Sequence, residues 1–597
     1  MSRAAAVAFV CAALAACQAS SRAELDAGSG SGFVWRGVIE GYYGPPWEEQ
    51  DRTDLLAWMA AHRYNVYIHA AKNDPYQRLQ WREPYPVEEM QRYAAEIALA
   101  QGRGLAWVPS VSPGFPLLEA AQPHDRDICF SCEDDFAVLA AKLDAFWDLG
   151  ARALMVSFDD VVKISTHAED AERYGSGGRA YGVMNADLLN RVYQRYAARD
   201  PRFVLFTVAA DYSGSKGSDY LDGFRETLRP EIEVMWTGTQ VYSSAIQCQD
   251  ASGYGAAIGR KPVLWDNFTN DSAPYKLLVG PYDGRAADLA DCLRGIVINP
   301  SPQAQADKLA LSSVADYLAD PADYDPEAAW DRAVSEFAGS PDMRAMLDPF
   351  IQNVRSTHMN RTEAVRFEWL YQDFEAALAT PDWLVPERAL LDELNLEAAT
   401  PAALRTGFVN PRVVAEFDTV LMLRSAQRTA TDSWLDQLAF NAGRALDATQ
   451  ALARLRPALD AARDGAQVCG EAQPPATAPE LLLSTARITA ALPGYTGSEL
   501  PTVNVHGDRF FFALGPVWYL ENRVDRYLRE ALQKLGAAAP QASLAASTVS
   551  LTANEAPVAL DAEGRFCLES AVQTELLATD GAGGQTRLIV SAMNPGA

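Results

Sequence analysis

The feature that most limits the fold of this chain is a pattern that repeats between Trp35 and about Asp320. Each repeat has a short run of aliphatic and aromatic residues, a few polar residues, then a longer segment with apolar positions three and four apart. The runs centre on Gly37-Val38-Ile39, Val66-Tyr67-Ile68, Leu105-Ala106-Trp107-Val108, Leu154-Met155-Val156, Phe203-Val204-Leu205-Phe206, Glu233-Val234-Met235, Val263-Leu264-Trp265 and Ile296-Val297-Ile298, which makes eight candidate strands. Helical spacing is clearest over Asp51 to His62, Val87 to Gln101, Asp134 to Leu149 and Asn185 to Arg199. Eight such units are close to the usual size of a (β/α)8 TIM barrel, roughly 250 residues. A doubly wound open sheet would give the same local signals. The two differ in where unusual residues fall, because a barrel gathers function at the carboxyl ends of several strands. Here polar and aromatic residues follow all eight: Glu40 to Gly44, Lys72-Asn73-Asp74, Ser112-Pro113-Gly114, Asp159-Asp160, Asp211-Tyr212, Trp236-Thr237-Gly238, Asp266-Asn267 and Asn299. The expectation is therefore a barrel. No glycine-rich phosphate loop follows the first strand, so no nucleotide cofactor is expected.

Charge narrows the partners. With 51 Lys+Arg against 78 Asp+Glu the formal net charge is -27, which repels nucleic acid and anionic lipid alike. A polyanionic polymer such as hyaluronan is disfavoured for the same reason. Only eight of the basic residues are Lys, so Lys72 at a strand end stands out.

The flanks carry their own signals. Met1 to Cys17 has Arg3, the apolar stretch Ala4 to Leu14 and small residues before the Cys, the pattern of an export signal too short to span a membrane. Leu14-Ala15-Ala16-Cys17 resembles a bacterial lipobox, with Cys17 as the lipidated residue, and residues 18–32 read as a tether. The expectation is an exported lipoprotein of the cell envelope, touching the membrane only through its lipid. Six further cysteines permit disulfides; Cys248–Cys292 and Cys469–Cys567 are favoured, with Cys129/Cys132 as a local pair. A metal site is the rival reading for Cys129-Phe130-Ser131-Cys132, but it lacks a matching second Cys or His pair and the histidines form no metal-spaced set, so no metal is expected. After the barrel (33–320), residues 326–535 read as a helical bundle and 536–597 as a small β-rich module. Phe510-Phe511-Phe512 with Trp518 and Tyr519 reads as core.

The sharpest chemical feature is Ser157-Phe158-Asp159-Asp160. Neighbours in a regular strand point to opposite faces, so both carboxylates reach one pocket only where the strand breaks. Held together, one should keep its proton to a higher pH than a free Asp, a general-acid arrangement. Asp-Asp before a helix also serves as a plain cap. The surrounding Tyr, Trp, Asn and Lys are the kit for a sugar. Adjacent carboxylates are badly placed to flank a glycosidic bond, whereas in substrate-assisted hydrolysis the sugar's own 2-acetamido oxygen is the nucleophile.

The segment Gly37-Val38-Ile39-Glu40-Gly41-Tyr42-Tyr43-Gly44-Pro45-Pro46-Trp47, with Phe158-Asp159-Asp160 and Trp265-Asp266-Asn267, resembles the catalytic domain of glycoside hydrolase family 84. These are retaining β-N-acetylglucosaminidases, the protein O-GlcNAcases among them. The resemblance implies that Asp159 holds the acetamido N–H, and that Asp160 donates the proton and then activates water. It implies that Lys72 and the Gly41 backbone bind the sugar, Tyr212 bonds the acetamido group, Trp265 forms an apolar wall, and Asn267, Asp271 and Asn299 hold hydroxyls or the acetamido region. Asp266 is expected to support rather than touch. The expected partner is a GlcNAc-bearing glycoconjugate or glycopeptide, with no cofactor. A non-catalytic glycan-binding lipoprotein and a hyaluronidase-like endo-hexosaminidase are the rival readings.

Overall fold

The computed structural model describes residues 32–117, 125–269, 277–357, most of 359–418, scattered residues from 433 to 446, and six strands between 541 and 590. The signal, the tether, Cys17, Asp271, Cys469 and Phe510 to Tyr519 lie outside the described residues.

Eight strands close into one parallel barrel in chain order: β1 (Trp35–Glu40), β2 (Val66–His69), β3 (Ala106–Val111), β4 (Ala153–Ser157), β5 (Val204–Val208), β6 (Glu233–Trp236), β7 (Val263–Asp266) and β8 (Gly295–Ile298). Closure is direct, since β1 pairs with both β2 and β8. The open-sheet alternative is thereby excluded. Each strand reads as a near-continuous apolar run because both of its faces are buried. Alternate residues part company along it: Ile39, Val66, Ile68, Val263 and Trp265 fill the barrel, while Val38, Tyr67 and Leu264 pack outward against helices. Inside, the Trp35 and Phe206 rings meet edge to face at 5.0 Å. Each such side chain contributes about 1.5–3 kcal/mol by leaving water.

The outer helices are α1 (Glu49–Ala61), α2 (Val87–Gln101), α3 (Glu133–Asp148), α4 (Ala168–Tyr174), α5 (Gly178–Ala197), α6 (Asp219–Thr227), α7 (Cys248–Ile258) and α8 (Ala304–Ala319). One expectation needs correction. Among the described residues the connection after β7 holds only a 3-10 turn, Leu289–Asp291, rather than a helix. Its chain is committed elsewhere: the Val279 amide donates to the Val354 carbonyl at 3.1 Å, and a Cβ on Gly280 would fall 1.5 Å from the Arg355 carbonyl oxygen. Disulfides join Cys129 to Cys132 and Cys248 to Cys292.

The chain divides into two compact units. The first contains the barrel with Val354–Thr362 and Val409–Met422. Within it Arg412 pairs with Asp51 and Asp54 of α1, and Glu416 accepts the Gln305 and Ala306 amides at the start of α8, at 2.9 and 2.7 Å. The second contains Met346–Asn353, Glu363–Phe408 and the chain from Leu423 onward. Its helices Val365–Ala377 and Leu384–Gly407 pack together, with Arg366 paired to Glu393 at 2.9 Å. Its last described part holds a four-stranded antiparallel sheet and a two-stranded one between residues 541 and 590.

Candidate active site

At the carboxyl end of the barrel the strand ends enclose a pocket of about 150 Å³ lined by Gly41, Tyr43, Lys72, Asp159, Asp160, Val208, Tyr212, Thr237, Val241, Tyr242, Trp265, Asn267 and Asn299. Eight of the nine pocket residues expected from the sequence therefore meet in one place. Asp271, the ninth, lies outside the described residues.

The two carboxylates share the pocket because the backbone turns sharply after β4. Asp160 has φ +52°, a left-handed conformation that non-glycine residues seldom adopt. Two contacts hold it there. The Arg78 guanidinium, almost fully buried, donates to the Asp159 and Asp160 carbonyls at 3.2 and 2.7 Å, and the Leu117 amide donates to the Asp160 carbonyl at 2.8 Å. The strain is thus placed at the residue with the most demanding chemistry.

The Lys72 ammonium forms a buried ion pair with Asp159 Oδ2 and lies 3.8 Å from Asp160 Oδ2. Asp160 also accepts hydrogen bonds from the Tyr43 and Tyr212 hydroxyls, at 2.8 and 2.7 Å. Burial by itself would raise the Asp160 carboxyl, but Lys72, Arg78 and the two hydroxyls together hold it below the ordinary carboxylate value. For Asp160 this is the opposite of a proton kept to a higher pH. In the unliganded pocket an ammonium sits between the carboxylates and removes their repulsion. Burial, then the Asp160 charge, push the Tyr212 hydroxyl upward, so it stays a hydrogen-bond donor.

The opposite wall is a chain of amides. Asn299 Oδ1 accepts the Gly41 amide at 3.0 Å, Asn299 Nδ2 donates to Asn267 Oδ1 at 2.8 Å, and Trp265 Nε1 donates to the same oxygen at 3.1 Å. Gly41 has no room for a side chain, since a Cβ there would meet the Trp265 ring at 2.6 Å. Asp266 turns away from the pocket into a buried bidentate pair with Arg285, at 2.7 and 2.8 Å, and accepts the Tyr282 hydroxyl at 2.7 Å.

The sequence reading missed several members. Tyr42 is buried packing, but the Tyr43 hydroxyl reaches the pocket and donates to Asp160. Arg78, Val241 and Tyr242 carried no motif, and Thr237 was legible only as part of Trp236-Thr237-Gly238 at the end of β6. As for metals, the described residues that approach a ligand set, Cys129, His167 and Glu169, include a cysteine already held in a disulfide.

A closed parallel barrel with paired carboxylates, linked side-chain amides and an aromatic wall at its carboxyl end defines a protein of the glycoside hydrolase class. Comparison with known families narrows this. The sequence profile of the beta-N-acetylglucosaminidase family matches residues 36–352, just over half the chain, and the chain belongs to that family. Mouse protein O-GlcNAcase is 32% identical over 304 residues, which are 50% of this chain and 31% of that protein; the rat protein is 32% identical over 286 residues, 47% and 29% of the two chains. The matched region thus spans about a third of these relatives' length. A mutant of the O-GlcNAc hydrolase of Thermobaculum terrenum superposes with a TM-score of 0.66 at 25% identity, covering 85% of this chain and 97% of that one.

Proposed function

We propose that this chain is a retaining β-N-acetylglucosaminidase that removes terminal β-linked GlcNAc by substrate-assisted catalysis. The observation that carries the reading is that Asp159 and Asp160, adjacent in sequence, are the only carboxylates among the described residues lining the pocket. A direct-displacement retaining enzyme needs a second carboxyl about 5–5.5 Å away, across the bond. With none there among the described residues, and with Asp159 adjacent to Asp160 in sequence, the nucleophile in this reading is the substrate's acetamido oxygen. Asp159 accepts the acetamido N–H and sharpens that oxygen; the oxygen bonds to the anomeric carbon as the glycosidic bond breaks; Asp160 gives its proton to the departing oxygen. Water then attacks the same carbon, Asp160 takes its proton, and the oxazoline opens with retained configuration. Tyr212 and Tyr43 steer the Asp160 carboxyl, Lys72, Asn267 and Asn299 bind hydroxyls, and Trp265 backs the acetamido methyl.

Asp159→Asn and Asp160→Asn should each reduce turnover of an aryl β-N-acetylglucosaminide by about 10² or more. Replacing the substrate's N-acetyl by N-trifluoroacetyl should slow the wild type steeply, because the acyl oxygen is then a poor nucleophile. Undiminished rates in the variants would refute the assignment, and binding without product would favour a glycan-binding protein instead. Product sizing on oligomers separates exo from endo action. We further propose an exported lipoprotein anchored at Cys17, as the Leu14-Ala15-Ala16-Cys17 run supports. Cys17→Ala should move the protein from the membrane to the soluble fraction, and equal partition of both forms would exclude the anchor.

A further inference from the structure

Behind the sugar pocket lies a second set of charges that the chemistry above does not use. His69, the last residue of β2, is buried with Nδ1 at 3.4 Å from Glu40 Oε2 and Nε2 at 3.6 Å from Asp74 Oδ2. Glu40 is the last residue of β1 and immediately precedes Gly41, and its own carbonyl accepts the Ala70 amide at 3.2 Å. Asp74 lies two residues beyond Lys72, in a turn where its amide donates to the Ala71 carbonyl at 3.1 Å. The imidazole thus spans the roots of the two loops that supply Gly41 and Lys72. Resting on the functional reading above, we propose that His69 is a positioning residue: clamped between Glu40 and Asp74, it fixes the spacing at which those loops present Gly41 and Lys72 to the sugar.

Its neighbours on every packed element favour a charged ring. From β1 and β2, Glu40 receives the Tyr67 hydroxyl at 2.5 Å and the Trp47 amide at 2.8 Å. From α1, Arg52 lies 3.6 Å from Glu40 and 2.9 Å from Glu96 of α2. From α2, the Tyr93 hydroxyl lies 3.1 Å from His69 Nε2. From the β2 loop, the Tyr85 hydroxyl donates to Asp74 at 2.8 Å, and Lys142 of α3 sits over the Tyr85 ring at 4.9 Å. The Trp107 ring of β3 stacks on the imidazole at 5.6 Å. Three buried carboxylates, Glu40, Asp74 and Glu96, face Arg52 and His69, with Lys142 at the edge. Burial pulls His69 down, but the adjacent Asp74 and Glu40 carboxylates carry it up to about 9. A cleft of about 570 Å³ lined in part by His69, Asp74, Arg52 and Tyr85 gives protons a route to the ring.

The sign follows. The clamp is complete below the ordinary imidazole value of 6.5 and is lost as pH rises through about 9. The test compares wild type, His69→Gln and Asp74→Asn, reading the His69 ring by NMR and KM for an aryl β-N-acetylglucosaminide across that range. The expected ring midpoint is near 9 in wild type and lower in Asp74→Asn. KM should rise on the same alkaline limb in wild type, which moves to lower pH in Asp74→Asn. In His69→Gln it should be raised roughly tenfold and flat over that range, the loss falling mainly on KM. A ring midpoint at the ordinary value, or a His69→Gln enzyme with wild-type KM and pH profile, would overturn the proposal. If His69→Gln does not fold, Asp74→Asn, which keeps the ring, decides by the same two readouts. Absence of any wild-type hydrolysis would instead overturn the functional reading and, with it, the link from clamp to sugar.

Discussion

Asp160 must carry a proton to act as an acid, yet in the unliganded pocket Lys72, Arg78 and two hydroxyls hold its carboxyl below the ordinary value against the effect of burial. The conflict is resolved by what a sugar would displace. On the proposed mechanism a bound GlcNAc would draw the Lys72 ammonium onto its hydroxyls and fill the space around the carboxylates, so the strongest cationic influence would weaken while burial increased. Ligand binding should then be accompanied by proton uptake, by up to about one proton, at pH values between the free and bound Asp160 values. Calorimetry in buffers of different ionisation enthalpy measures this directly. Uptake that persists in Asp160→Asn, or its absence in wild type, would reject the mechanism. The same residues show what the sequence could disclose. Asp159, Asp160 and Lys72 were legible because charged or scarce residues fell just past strand-like runs, whereas the places of Tyr212 and Trp265 came from the resemblance to glycoside hydrolase family 84. Arg78 was not: its effect is to hold two carbonyls that only the folded turn brings within 3.2 Å. Nor was the position of Lys72 beside both carboxylates, which helps to lower Asp160 against the effect of burial.

Strand and helix periods were legible wherever an element buries a regular face. All eight expected strand centres fall on observed strands, and α2 spans Val87–Gln101 as its spacing predicts. The connection after β7 was not legible, because Gly280 is committed to a close backbone approach against Arg355, some 75 residues downstream. That connection has instead a covalent fastening. Cys248 begins α7, and Cys292 ends the 3-10 turn just before β8, closing a loop of 44 residues. By chain entropy such a link stabilises the folded state by about 4 kcal/mol. The paired change Cys248→Ser with Cys292→Ser should therefore lower the urea midpoint of the barrel unit clearly, whereas the corresponding change at Cys129 and Cys132, separated by only 3 positions, should cost less. Equal losses from the two pairs would show that loop length is not what sets their effect.

For the whole molecule the governing quantity is the charge of -27. The pocket itself is locally balanced, with Lys72 against Asp159 and Asp160 and the Arg78 guanidinium close by, so a neutral amino sugar meets little net field once inside. What the surface charge controls is the approach of the part that departs with the leaving oxygen. A glycoside with an anionic aglycone must enter against a negative potential, whereas its neutral counterpart is indifferent. Salt shortens the reach of that potential from about 30 Å at 0.01 M to about 8 Å at 0.15 M. Raising ionic strength over this range should therefore increase kcat/KM for a carboxylate-bearing aryl β-N-acetylglucosaminide and leave the neutral ester of the same compound nearly unchanged. The ratio of the two constants cancels any general effect of salt on the enzyme. A ratio that stays flat would mean that the mouth is screened from the rest of the surface, and two described lysines near Asp211, Lys163 paired with it and Lys216 lining the same cleft, would be the first groups to test. A ratio that falls with salt would mean that these lysines outweigh the global field and attract acidic aglycones, and Lys216→Ala should then abolish the slope.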